Sequence, residues 1–332
     1  MIDQAEDIKL LIDKAESILV IQADNPDGDS LGSAIALEQI LTDLNKDAHL
    51  IIKVNLPNYL QYINGWDRLE SDLPNKFDLS IIVDTSSLSL LENMQKDNTL
   101  RRIMTKPCIV IDHHQTEKTI NFATVYLNQP SASATAEIIY ELAKQLNWSI
   151  PLNGQKGIAA AILSDSLGLT TKNVTARTVH IIAELIEAGV SIYELENLRR
   201  DMMRKVPAIV HYKGQLLQRV EYFADDRIAT LTIPWNEIEQ YSPIYNPAVL
   251  ALDDMRLTEN TLVAIVFKQY PDNKITAKIR SNFNAPIADK LAEMYGGGGH
   301  KFASGFKVNQ PSLDDLVNDV ITKAKGLLDE AL

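Results

Sequence analysis

Short, almost uninterrupted apolar runs alternate with stretches of helical periodicity through the first half of the chain. The runs are Ile18-Leu19-Val20-Ile21, His49 to Val54, Leu79-Ser80-Ile81-Ile82-Val83-Asp84 and Cys108-Ile109-Val110-Ile111-Asp112. Strands this apolar are covered on both faces, as the strands of a parallel sheet are. Leu37, Ile40, Leu41 and Leu44 recur on one helical face, and Ala132 to Leu146, Gly154 to Leu163 and Ala176 to Glu187, closed by Gly189, keep the same spacing. The pattern predicts an α/β domain over residues 1–190, built on a parallel, doubly wound sheet. Residues 191–211 are highly charged and helical and read as a connecting helix. Beyond them, Arg227 to Ile233, Thr261 to Phe267 and Lys274 to Arg280 read as strands. An amphipathic helix from about Leu313 to Leu328 then closes a smaller α+β domain over 212–332.

Composition narrows the classes. With 332 residues, 45% of them hydrophobic, the chain buries a large core and divides into two domains. No apolar run approaches the roughly 20 residues of a membrane span, and the first residues are acidic where a signal peptide is basic, so the cytoplasm is the expected address. Cys108 is the single cysteine and lies within an apolar run, which predicts a buried strand thiol and no internal disulfide. A net charge of -12 argues against long nucleic acids and against a membrane partner. A phosphate ligand must therefore be held locally, by metal or by a few basic groups.

The candidate chemistry sits where strands end. Asn25-Pro26-Asp27-Gly28-Asp29-Ser30-Leu31-Gly32-Ser33 joins the first run to the first long helix, Asp84 and Asp112 end two other runs, and Asp165 ends the apolar segment from Gly157. Taken singly, these are Asx turns or helix N-caps. A doubly wound sheet would bring Asp27, Asp29, Asp84, Asp112 and Asp165 to one edge. Two unit charges 4 Å apart repel by about 4 kcal/mol at an effective dielectric of about 20, so such a cluster calls for cations. Aspartates mixed with His113 and His114 suit Mn²⁺ before Zn²⁺, and an ion pair about 3.5–4 Å apart is the usual arrangement for phosphate ester hydrolysis.

These motifs carry a resemblance. Asn25 to Ser33, Asp84, Asp112-His113-His114 and Ser164-Asp165-Ser166 are similar to the four motifs of the DHH phosphoesterases. Gly296-Gly297-Gly298-Gly299-His300-Lys301-Phe302-Ala303-Ser304-Gly305, preceded by Arg280-Ser281, resembles the signature of the domain that accompanies DHH in the nanoRNase and phosphoadenosine-phosphate phosphatase branch. The resemblance implies two Mn²⁺ ions, with Mg²⁺ or Co²⁺ as alternatives. One would rest on Asp29, Asp84, His113 and Asp165. The other would rest on Asp27, the bridging Asp84 and a histidine three residues before the proline, with water between the ions attacking phosphorus. His114 would touch the phosphate and Asp112 would orient the histidines. Arg280, Ser281 and His300, with the backbone N–H groups of Gly297, Gly298 and Gly299, would grip the substrate as two domains close on it.

Two positions depart from that pattern. Ala23 stands where the family has the histidine, so one ion site is expected to be weak or empty, and Leu90 stands about where many relatives have an arginine. Neither Gln22 nor Asp24 replaces the histidine without a local shift, because successive strand side chains point to opposite faces. Tyr59, Tyr62 and Trp66 read as a satellite hydrophobic cluster before a base-stacking platform. The resulting expectation is a metal-dependent phosphoesterase acting on short oligonucleotides, linear dinucleotides or phosphoadenosine phosphate, with a homodimer left open. A nucleotide-binding or sensing protein with a degenerate metal site is the alternative that Ala23 motivates. An inorganic pyrophosphatase is a further one, disfavoured by the glycine-rich signature.

Overall fold

The computed structural model describes residues 1–115 and 117–331 and divides into two compact units, 1–204 and 205–332. The first unit holds strands β1 (Ser17–Ile21), β2 (Asp47–Ile51), β3 (Leu69–Glu70), β4 (Leu79–Val83), β5 (Cys108–Asp112) and β6 (Val125–Asn128). They form one sheet in the order β3-β2-β1-β4-β5-β6, parallel throughout. The strand order reverses between β1 and β4, so a crevice opens there outside the carboxyl ends of the strands.

Helices α1 (Ala5–Lys14), α2 (Gly28–Asp43), α3 (Glu92–Lys96), α4 (Thr99–Ile103), α5 (Thr135–Gln145), α6 (Leu152–Asp165), α7 (Ala176–Glu187) and α8 (Ile192–Met202) complete the unit. Alternate residues of each strand serve opposite layers. Ile18, Val20, Ile81 and Ile111 pack with Leu31, Ile35 and Ile138, whereas Leu19, Ile21, Ile82 and Val110 pack with Leu91, Met94 and Ile103. This two-sided burial is why β1, β4 and β5 are apolar at nearly every position. Cys108 is fully buried in this second layer, and burial pushes its thiol up to about 11, as a structural thiol requires.

Close helix packing frames the crevice. A methyl group on Gly32 would stand 2.4 Å from the carbonyl oxygen of Gly157, and one on Gly28 would stand 2.2 Å from Ser164 Oγ. Only the missing side chains let α2 and α6 approach so nearly, and that approach carries Asp29 and Asp165 toward each other.

The segment expected as one connecting helix is two. Helix α8 belongs to the first unit, where Leu195 packs beside Ile181 and Leu185. Val206 then adopts an extended conformation ahead of Pro207, the first residue of the next helix. A residue before proline is disfavoured in the helical region, which explains the break.

The second unit holds β7 (Glu221–Phe223), β8 (Ile228–Ile233), β9 (Val263–Gln269), β10 (Lys274–Ser281), β11 (Gly298–His300) and β12 (Ala303–Asn309). Its helices are α9 (Pro207–Gln218), α10 (Trp235–Tyr241), α11 (Pro247–Arg256), α12 (Ala288–Glu293) and α13 (Leu313–Ala331). The sheet runs β11-β12-β10-β9-β8-β7, antiparallel except for the β8–β9 pair. One face packs on α12 and α13 through Ile265, Ile279, Leu291 and Val320, and the other packs on α9 and α11 through Val266, Leu231, Tyr212 and Ala251. Among the described residues, no helix is long and apolar enough to cross a membrane.

Candidate metal centre

The acidic turn after β1 is built by its own side chains. Asp27 caps α2, its Oδ1 accepting the N–H groups of Asp29 and Ser30 at 3.0 Å each. That capping satisfies two of the donors a helix start leaves unpaired and directs the next carboxylate inward. Asp29 is 1% exposed. Its Oδ2 accepts the Thr135 N–H at 2.6 Å and its Oδ1 accepts Ala136 N–H at 3.2 Å and Ser33 Oγ–H at 2.9 Å. The start of α5 thus aims its free N–H groups at a buried anion, where the helix dipole also favours negative charge.

Asp84 lies one residue beyond β4 in a left-handed conformation, φ 62°, and Thr135 Oγ1 donates to its Oδ1 at 2.9 Å. Aspartate tolerates this region better than most side chains. Burial, and then the charges of Asp29 and Asp27, push its carboxyl well above the usual range. Asp165 ends α6, and burial followed by the Asp29 charge raises it to about 6. Asp27 is also raised, first by desolvation.

His113 lies at the centre. Its Nε2 is buried with no hydrogen-bond partner among the described residues, yet it faces Asp29 Oδ2 at 3.6 Å, Asp84 Oδ1 at 3.7 Å and Asp165 Oδ2 at 3.6 Å. Each gap exceeds a hydrogen bond. Donors held about 2.1 Å from a shared cation stand roughly 3 to 3.5 Å apart by simple geometry. Asp29, His113 and Asp165 bring donor atoms close enough together to hold a divalent ion, and Asp84, His113 and His114 form a second candidate metal-holding group that shares the same histidine.

Asp112 does not face this hole. It is fully buried, and its Oδ1 accepts His113 N–H at 2.8 Å, His114 N–H at 3.1 Å and His114 Nδ1–H at 2.8 Å, while Oδ2 accepts Ser86 Oγ–H at 2.5 Å. Burial pushes its carboxyl up, but the His114 and Ser86 hydrogen bonds outweigh burial and hold it below the usual range. The same contact raises His114, whose side chain is 45% exposed. Ala132 carbonyl oxygen lies 3.3 Å from His113 Nδ1 and fixes the second ring. Thr135, Ser86 and Ala132 were not singled out by the sequence pattern. The run of small and hydroxyl residues Ser131 to Thr135, just before a helix, was the available signal.

At the departure from the family pattern, Ala23 is 4% exposed and offers no ligand. Asp24 is committed elsewhere, its Oδ2 accepting Asn93 N–H at 2.9 Å. Gln22 is 1% exposed, and neither atom of its amide has a partner among the described residues. Tyr62 is buried within the first core and Trp66 packs against it, while Tyr59 remains 51% exposed.

In the second unit, Arg280 and the glycine run line a cavity of about 710 Å³. The run is no linker. Gly298 to His300 form an edge strand on β12, and Gly297 approaches Gly305 so closely that a methyl group there would stand 2.3 Å from its carbonyl oxygen. Two of the expected contacts need correction. Gly297 N–H donates to Ala292 carbonyl oxygen at 2.9 Å in ending α12, so it is not free for an anion. Ser281 is 3% exposed and, by strand alternation, lies on the face opposite Arg280. His300 and Gly298 are exposed.

Comparison with known proteins gives matching results for both units. Residues 17–165 match the model of the DHH family, N-terminal domain, and residues 242–326 match the DHHA1 domain. The chain is 24% identical over 314 residues to the bifunctional oligoribonuclease and PAP phosphatase NrnA of Bacillus subtilis, covering 93% of this chain and 95% of that protein. The protein of the same name from Thermus thermophilus is 24% identical over 312 residues, covering 92% and 89%. Among solved structures, an exopolyphosphatase-related protein from Bacteroides fragilis superposes with a TM-score of 0.84 at 19% identity, covering 98% of this chain and 97% of that one.

Proposed function

Because the chain belongs to the DHH family and carries a DHHA1 domain, we propose that it is a metal-dependent phosphoesterase acting on short oligonucleotides, linear dinucleotides or phosphoadenosine phosphate. The observation that carries this reading is the unpartnered, buried His113 Nε2 ringed by carboxylate oxygens of Asp29, Asp84 and Asp165 at 3.6–3.7 Å. Burying so many carboxylates without a cation is too costly to serve structure alone. The likeness to the two NrnA proteins supports the substrate class.

Asp29, Asp84, His113 and Asp165 would hold one Mn²⁺ or Mg²⁺ ion, and Asp84 with Asp27 would hold a second more weakly, since Ala23 brings no imidazole. A divalent ion in such a site supplies Lewis acidity and lowers the pKa of water, the chemistry phosphate ester hydrolysis needs. The chain's own groups do the positioning. Asp112 fixes His114 through Nδ1, which leaves Nε2 on the exposed side to meet a phosphate oxygen. The raised pKa of His114 favours its cationic form there. Arg280 and His300 would bind anionic substrate groups, as a guanidinium does with phosphate.

The test is release of mononucleotide or phosphate, with and without Mn²⁺, from a dinucleotide, phosphoadenosine phosphate, a cyclic dinucleotide and pyrophosphate. Hydrolysis of the first two supports the reading. Tight nucleotide binding with no release from any of the four would favour the sensing alternative that Ala23 motivates.

A further inference from the structure

The segment that leads from β6 into α5, Gln129 to Ala134, is held from behind by a side chain that does not face the metal centre. Ala132 carbonyl oxygen lies 3.3 Å from His113 Nδ1, the N–H groups of Thr135 and Ala136 donate to Asp29, and Thr135 Oγ1 donates to Asp84. Asp29, Asp84 and His113 therefore all lean on this segment and the helix start it delivers. Its position is not set by α5 alone. The N-cap residue is Ala134, which makes no side-chain cap, so the first N–H groups of α5 are met by Asp29 across the crevice instead.

The opposite tether is Glu137. A glutamate at the third helical position ordinarily reaches back to the N-cap N–H. Here Glu137 Oε2 reaches one residue further, accepting Ser133 N–H at 3.0 Å and Ser133 Oγ–H at 2.6 Å, and it also accepts Thr178 Oγ1–H of α7 at 3.0 Å. Glu137, Ser133 and Thr178 are all buried. A buried carboxylate is costly unless it is paired, yet among the described residues no ion pair joins Glu137 to a cation. Arg177, which lines the same cavity, is bonded to Glu141 and Glu184 instead. Close packing does not take the place of the tether, because a cavity of about 770 Å³ lies against the segment, lined by Gln129, Ser131, Ala132, Glu137, Thr175 and Arg177 among others. The hydrogen bonds to Glu137 are what fix Ser133 on that side.

We propose that Glu137 is a positioning residue for the metal centre. Through Ser133 it fixes the segment from Gln129 to Ala134, and with it the orientation of Asp29, Asp84 and His113 toward an ion. Its bond to Thr178 anchors that arrangement on α7. The proposal rests on the metal-dependent phosphoesterase reading and adds to it a residue that bonds to none of the groups facing His113 Nε2.

The experiment measures Mn²⁺ binding to the full-length protein by equilibrium dialysis, at a temperature where circular dichroism shows each variant folded, beside thermal melts in chelator. Glu137→Ala should weaken the tightly bound ion by about 10- to 100-fold, the usual cost of losing a group that orients a metal ligand. Glu137→Gln keeps an acceptor oxygen for Ser133 and should recover most of that loss. Ser133→Ala removes one donor, leaves the backbone N–H, and should weaken binding in the same direction by less. A merely structural role would lower the melting temperature in chelator and leave the dissociation constant of the folded protein unchanged. Wild-type Mn²⁺ affinity in folded Glu137→Ala therefore overturns the proposal, and if that variant does not fold, wild-type affinity in Ser133→Ala overturns it equally. Absence of tight Mn²⁺ binding in the wild type would instead overturn the underlying reading of the centre.

Discussion

Replacing Asp165 with asparagine should change the stability of the first unit in opposite directions with and without a divalent ion. Asp29 and Asp165 offer oxygens within 4.8 Å of one another, and two unit charges at that distance repel by about 3.5 kcal/mol at an effective dielectric of about 20. Asp165 rises from 3.8 to about 6, through burial and then the Asp29 charge, which at about 1.36 kcal/mol per unit corresponds to about 3 kcal/mol. The side chain is 33% exposed, so solvent screening brings the expected effect to ~2 kcal/mol. The folded pKa lies above the unfolded one, so the native state binds more protons between them. Stability of the metal-free protein should therefore fall as pH rises from about 4 to about 6 and stay low above that.

In chelator at pH 7, Asp165→Asn should unfold at a higher temperature than the wild type, and the advantage should vanish near pH 4. With Mn²⁺ the order should reverse, because a ligand is gone, and a ligand at a hundredfold its dissociation constant stabilises by about 2.7 kcal/mol. Thermal melts followed by circular dichroism, with and without chelator at the two pH values, read all four cases. An Asp165→Asn variant that is less stable than the wild type in chelator at pH 7 would refute the carboxylate crowding, and one that gains as much from Mn²⁺ as the wild type would refute the role of Asp165 in the metal centre.

Three other outcomes follow from the same geometry. Asp84→Ala should lose more bound metal than Asp27→Ala, as measured by elemental analysis after dialysis, because Asp84 faces His113 while Asp27 spends Oδ1 on capping α2. Ala23→His should lower the Mn²⁺ concentration for half-maximal binding, read by equilibrium dialysis, by at least about tenfold, the low end of what a supporting contact alone is worth. Gly32→Val should destabilise the first unit by at least about 2 kcal/mol in denaturant melts, since even a methyl group there meets the Gly157 carbonyl oxygen at 2.4 Å.

The sequence by itself determined the layers and the candidate chemistry. Strands β1, β4 and β5 were legible because burial on both faces leaves them almost wholly apolar, β2 was legible only through its buried end at Leu50 and Ile51, and the acidic turns were legible because polar residues directly after such strands stand out. Strand β6, with only four residues, and the two-residue β3 are too short to carry a period. The edge strand of glycines has no side chains from which a pattern could be read. Reading 191–211 as one helix missed the break because its charge and periodicity continue across Val206, while the turn depends on the steric demand of Pro207. Contacts between residues far apart in the chain were decided only by tertiary structure. Thr135 is bonded to both Asp29 and Asp84, and Ser86 to Asp112; no local pattern encodes either contact. The sequence could list Asp29, Asp84, His113 and Asp165 as ligands, but whether their donor atoms meet at one point depends on the left-handed turn at Asp84 and the glycine-lined approach of α2 to α6. These are matters of angstroms, set by packing rather than by residue type.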